Sequence, residues 1–394
     1  MFLEAKKYRK EVAVGAGIEV NGEIWCVGKH NSKLYAINAN DNVLKYEKDI
    51  DIKSDHILNP FFGILHYDGY LYLVPLCCNI MVKFCLRNHN IEYFDFTDIY
   101  TPYQVNNYRY LFISSCQINN YLYLFPYRCG SIVRFNVDNN QTELLQLPTD
   151  TKVKSKDFLF IRRCAISEKY IFIAQDKGCS ILQINIKNEK MQWINLPDEI
   201  HIRDICLWKE EIYILDITGK IFTISFKDIQ ITEIFDVDSD QFGFLEKTQN
   251  YIWLIPTGTN EILRYSSYDG VESIKYPPNF NFSYMFLKDG ARTFSYVFSD
   301  ENKMIIPPRC NNVLITIDKR KESVIFNDIS CSNDIQDQII SDFSNDIKNK
   351  ESVTECEGAL ELMLNFFKNN EYGDTRNNTG SNIGEVIKNI CINS

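Results

Sequence analysis

Histidine, cysteine, arginine and one acidic run are the groups in this chain whose chemistry could be put to use. His56, His66 and His201 could each serve as a general base. None has a nucleophile or carboxylate at a suggestive spacing, so the expectation for all three is a structural role and no catalytic residue. "DVDSDQFGF", from Asp236, has the opening spacing of a calcium loop. That loop needs glycine at its sixth position and glutamate at its twelfth, where Gln241 and Lys247 stand, so a solvated acidic turn is expected. The 13 cysteines are scattered, and no pair has CxxC spacing. Cys77, Cys78, Cys129 and Cys310 occupy equivalent loops of a repeat, but units set around a ring would hold them apart; no metal and no cofactor is expected.

Arginine is the more informative group. Arg forks match carboxylates and phosphates, and aromatic faces suit sugars or peptide side chains. Lys29, His30, Tyr127, Arg128, Arg162, Arg163, Asp176, Arg203 and Arg309 are the candidate binding residues, because they fall in or beside one recurrent class of loop. The competing expectation is that these arginines line a channel and cap the carbonyls of neighbouring strands.

What positions them is a repeat. "YLYLFPYRCGSIVRF" at Tyr121 is echoed by "YLYLVPLCCNIMVKF" at Tyr70 and "YIWLIPTGTNEILRY" at Tyr251, with looser copies at Tyr170 and Met304. Aligned on the end of the opening strand, the copies share Gly28, Pro75, Pro126, Gln175, Asp216, Pro256 and Pro307. A spacing of roughly 40 to 50 residues is that of propeller blades. Each unit reads as four short strands rich in Ile, Val, Tyr and Phe and closed by Asn, Asp, Gly or Pro. In the third these are "LFISSCQI", "YLYLF", "SIVRFNV" and "TELLQL". Near-continuous apolar strands fit sheets buried on both faces. One such unit cannot cover itself, so the units must close into a ring.

Seven units follow, at about 12–48, 61–96, 111–147, 158–196, 202–236, 242–276 and 294–328. Six or eight stay open, since "FNFSYMFLKDG" reads as loop or as an extra strand; "FLEAKKY" is a candidate outer strand for the last unit. The expected class is all-β, a seven-bladed propeller over 1–330 with a small helical tail over 331–394. In that tail Val353, Cys356, Leu360, Met363 and Phe367 share one helical face, and Ser352 with Glu355 forms a capping box.

"MQWINLP", Met191 to Pro197, places Trp193 as the fourth strand of a kelch-type repeat does, and the chain is similar to that family at the level of architecture. It departs from it where the kelch glycine pair gives way to "FPY" or "VPL". The resemblance implies a propeller with ligands taken at the mouth, and no activity by itself. Its copper-oxidase branch is set aside, because the five histidines are scattered without a ligand-like pair.

Charge and composition narrow the partners. A formal net charge of −10 argues against nucleic acid and anionic membrane surfaces. No window approaches the ~20 apolar residues that span a bilayer, and the first residues lack the apolar core of a secretory signal. With an odd number of scattered cysteines, these features lead to the expectation of a cytoplasmic protein. The leading expectation is a non-enzymatic propeller that binds a protein or peptide at its mouth. The rival is a carbohydrate- or nucleotide-sugar-acting protein that uses Arg162, Arg163 and Arg203 with Asp176 or Asp216.

Overall fold

Short apolar runs punctuated by Asn, Asp and Gly fold here into seven antiparallel sheets, each of four strands in sequence order. The computed structural model describes residues 14–28, 32–52, 60–100, 111–127, 131–148, 160–225, 230–237, 241–257, 261–277, 296–300, 302–307 and 313–330. Blades 1 to 7 span Val14–Asp49, Phe61–Asp95, Phe112–Gln146, Phe160–Asn195, Ile202–Asp236, Phe242–Lys275 and Phe298–Asp328. The described residues form an all-β seven-bladed propeller of four-stranded antiparallel blades. It divides into two units, Met1–Asp346 and Ile347–Ser394, and all described residues belong to the first. The expected tail helices, "FLEAKKY" and "FNFSYMFLKDG" lie outside the described residues; blade 7 has its four strands without them.

Turn chemistry explains the register. Asn21, Asp68, Asn119 and Lys209 take left-handed φ values at the first position of the turn between strands one and two. Two-residue hairpin turns require this conformation, and Asn and Asp tolerate it. The turn between strands three and four follows a second rule. The residue four beyond the end of strand three is left-handed in blades 1, 2, 3, 4, 6 and 7: Asn42, His89, Asn140, Glu189, Gly270 and Glu322. In four of those blades the turn opens on an Asx side chain, Asn38, Asn136, Asn185 or Asp318, that accepts from the next backbone N–H groups.

Six of the seven anchors that aligned the repeats sit opposite the first residue of their blade's inner strand. The pairs are Gly28 with Val14, Pro75 with Phe61, Pro126 with Phe112, Gln175 with Phe160, Asp216 with Ile202 and Pro256 with Phe242. A register shift follows each pair, so a proline without an N–H is tolerated at the ladder's end. Blade 7 departs from the expected pattern: its second strand is Lys303–Ile306, and Pro307 lies just beyond it.

Apolar clusters bridge neighbouring blades all round the ring. Phe61, Leu73 and Phe84 pack on blade 1; Phe112, Leu124 and Phe135 on blade 2; blades 3, 4 and 5 share one cluster. Leu215 and Leu254 join blades 5 and 6, and Trp253 and Ile315 join blades 6 and 7. Closure is completed between blades 7 and 1 by Ile305, Leu314 and Ile329 against Tyr35, Ile37 and Leu44. A short parallel bridge reinforces this seam: Leu44 N donates to Ser330 O at 2.8 Å and Ser330 N to Asn42 O at 3.0 Å. Lys303 pairs with Glu19 across it.

Candidate functional site

The inner strands of a propeller surround its axis, and their bulged residues leave the ladder to point elsewhere. In blades 1, 2, 3, 5 and 6 the bulge adds one residue, as in Phe61 and Gly63 opposite Pro75 and Val74. Blade 4 differs. Phe160 pairs with Gln175 and Cys164 pairs with Ile173, so its inner strand, Phe160–Ile166, carries two extra residues. Arg162 and Arg163 stand in that enlarged bulge.

The enlarged bulge sends Arg163 past blade 5 to blade 6. Its Nη1 donates to Asp204 Oδ2 at 3.0 Å and to the Leu245 carbonyl at 3.1 Å, and its Nη2 donates to Glu246 Oε2 at 2.9 Å. Asp204 Oδ2 also accepts from Leu245 N at 2.8 Å. Lys319, in the last turn of blade 7, lies 3.4 Å from Glu246 Oε1. Two cations and two carboxylates from blades 4, 5, 6 and 7 thus balance one another. Asp204 is 2% exposed and Glu246 6%.

Burial weighs on these charges unequally. It disfavours the charged guanidinium of Arg163, but Asp204 and then Glu246 outweigh it and hold the proton more firmly than usual. Burial pushes the Asp204 carboxyl up to about 6, against Arg163 and two backbone N–H groups that pull it down. Tyr296, at the entry to blade 7, meets the ring of Phe62 from blade 2 edge-on at 6.1 Å. Burial pushes its hydroxyl up to about 12; nearby Cys164 adds to the shift and Arg163 opposes it. Side chains of blades 2, 4, 5, 6 and 7 therefore meet inside the ring.

The sequence-based candidates divide accordingly. Arg163 is the hub of the ion network, and Arg203 donates to the Phe242 carbonyl of the next blade at 3.0 Å. Both do what the carbonyl-capping expectation says. Arg162, Asp176 and Tyr127 are half-buried. Tyr127 N donates to the Leu111 carbonyl, and the turn holding Asp176 is tied to blade 5 by Lys177 N to Ile202 O at 2.9 Å. Lys29, His30, Arg128 and Arg309 lie outside the described residues, as do His56, Cys129 and Cys310. Asp216, the rival's second carboxylate, is occupied: it accepts from His201 N, Thr218 N and Thr218 Oγ1 at 2.6 to 2.7 Å. His66 is held below its ordinary value by burial, with Asp68 opposing. Cys77 and Cys78 are raised by burial to about 12 and about 11, which suits inert thiols. Among the described residues no group of three or more His, Cys, Asp or Glu is placed to hold a metal ion.

Asp204, Glu246, Lys319 and Tyr296 escaped the sequence reading. One signal was present. The first residue of the inner strand precedes its anchor by the same interval in blades 1, 2, 3, 5 and 6, and Phe160 precedes Gln175 by one residue more.

Comparison with known proteins shows the fold. No family model matches the chain, and no curated protein matches it. Among solved structures it is similar to a catalytically inactive virginiamycin B lyase from Staphylococcus aureus with quinupristin, at 13% identity and a TM-score of 0.57, covering 77% of this chain and 94% of that one. A streptogramin B lyase matches at 12% identity and a TM-score of 0.58, covering 81% and 95%. The computationally designed protein Ika8 matches at 8% identity and a TM-score of 0.51, covering 80% and 86%.

Proposed function

We propose that this chain is a non-enzymatic scaffold that binds a protein or peptide partner through one rim of the propeller. The observation that carries the reading is the asymmetry of its connections. The rim of turns between strands one and two is built of tight hairpins, such as Asn21–Gly22 and Asp68–Gly69. The connections from blade to blade leave from the other rim, and four of the six are long, taking up residues 50–60, 96–111, 147–159 and 276–297, against 196–201 and 237–241 for the other two. Long, sequence-diverse loops on a rigid frame are where recognition concentrates. Their aromatic content, in "TPYQVNNYRY" and "YPPNFNFSYMF", suits anchor residues for a peptide.

Arg163 and Asp216, which the carbohydrate reading needs, are already bonded within the protein, so that reading stands second. A lyase activity of the kind in the names of two structural neighbours is not part of the proposal, since a shared fold at such identity carries no chemistry. A kelch-type lineage belongs to the proposal and rests on Trp193, which stacks with Phe160 and donates to the Pro148 carbonyl. A reducing, cytoplasmic setting is supported by the eight described cysteines, all free.

The test is affinity capture with the full chain and with a variant whose residues 101–110 are replaced by a glycine–serine segment, beside a glycan array. The expected result is a partner held by the parent and lost by the variant at unchanged melting temperature. A sugar ligand whose binding vanishes in Arg162→Ala would defeat the scaffold reading.

A further inference from the structure

Two inter-blade clasps in this ring are built to one plan and differ in one group. Between blades 3 and 4, Arg134 lies over the Tyr121 ring at 4.5 Å and is bracketed by two carboxylates. Glu143 comes from its own blade and Glu189 from the outer turn of the next. Between blades 6 and 7, Arg264 lies over the Tyr251 ring at 4.3 Å and donates through Nε to Glu272 of its own blade at 2.8 Å. Glu322 is the counterpart of Glu189: each is the left-handed fourth residue after an Asx that opens the turn. Yet the Glu322 carboxylate turns away, accepting from Thr248 Oγ1 at 2.6 Å, Asn250 N at 2.9 Å and Asn250 Nδ2 at 2.7 Å. Arg264 Nη1 is left with the Glu322 carbonyl at 2.8 Å.

A cavity of about 440 Å³ opens beside this clasp, lined by Tyr251, Arg264, Ile274, Lys321, Glu322 and Val324. The turn at its edge reads Lys319–Arg320–Lys321, a basic run in an acidic chain. Lys319 points to Glu246, while Arg320 is exposed and the Lys321 side chain is 81% exposed, with Asp318 at 4.0 Å. Apolar groups also line the cavity: Ile274 and Val324, from the outer strands of blades 6 and 7.

We propose that this flank cavity is a second binding site, independent of the loop rim. It takes a peptide with an acidic side chain set between apolar residues. The incoming carboxylate occupies the place that Glu189 fills in the matching clasp, facing Arg264 and Lys321. Its apolar neighbours lie against Ile274 and Val324. A charge-assisted bond to guanidinium discriminates strongly against a neutral isostere.

The test uses the full chain and two fluorescein-labelled capped heptapeptides, Gly-Gly-Leu-Glu-Leu-Gly-Gly and its Gln counterpart, followed by anisotropy. The Glu peptide is expected to bind about tenfold more tightly than the Gln peptide. Lys321→Glu is expected to abolish that preference while leaving the melting temperature unchanged; Lys321→Gln serves the same comparison if the reversal unfolds the turn. Equal affinity for both peptides, binding of neither up to millimolar concentration, or a preference that survives both Lys321 variants would overturn the proposal.

Discussion

Replacing Arg163 with methionine would leave Asp204 and Glu246 facing one another across blades 5 and 6, with Lys319 near Glu246 alone. Removing one partner of a buried ion pair costs about 3–5 kcal/mol, because the remaining charge is stranded. That is a large share of the roughly 5–15 kcal/mol that holds a typical protein folded. The cost must depend on pH. Asp204 has a folded value near 6 against an ordinary 3.8, so the folded state takes up a proton between those values. This residue therefore favours folding most below about pH 4, and that contribution is lost as pH rises through 6. Without Arg163, which pulls the value down, the carboxyl rises further and is neutral at pH 5. Urea unfolding of parent and Arg163→Met should differ by about 3–5 kcal/mol at pH 7.5 and by less than half of that at pH 5. Adding Asp204→Asn and Glu246→Gln should restore most of the loss, since an absent buried pair costs less than a broken one. A difference below about 1 kcal/mol at pH 7.5, or one unchanged at pH 5, would refute this account of the network.

Gly243 lies at the bulge of blade 6, where a Cβ would come within 2.0 Å of Thr257 Cγ2. Gly243→Ala should cost about 1–3 kcal/mol, and Thr257→Ser in the same chain should recover part of it, read by thermal unfolding. Ile329 is 3% exposed at the seam, so Ile329→Ala should cost about 2–5 kcal/mol by urea titration, whereas Ile325→Ala, on the open face, should cost under about 0.5 kcal/mol. Cys26, which burial raises to about 12, should resist a thiol-modifying disulfide reagent at pH 8 in the folded protein and react on unfolding, as resolved by mass mapping.

The architecture was legible because its determinants are local. A strand, a turn that needs a left-handed residue and a second strand recur with one spacing, and Asn21, Asp68 and Asn119 stand where hairpin geometry demands them. The ring follows from surfaces no single blade can cover. The candidate site was legible in residue type and not in role. Arg162–Arg163 stood out, but the partners of Arg163 lie 41 and 83 positions away, on strands whose own sequences, "IRDICLW" and "FGFLEK", carry no mark of a shared guanidinium. The proline of the anchor explains itself from the chain alone; the two-residue bulge at blade 4 needs the pairing of Cys164 with Ile173 to be seen.

Blade 7 presents a two-residue inner strand, Phe298–Ser299, where its neighbours present six or seven. Like a barrel with one short stave, the ring has less hoop strength at that stave than elsewhere. Lys319, gripping Glu246, ties that stave to blade 6, and Arg163 carries the tie on to blade 4. Strain applied to the toroid should therefore first open it at blade 7, with the other six blades keeping their curvature as an open arc.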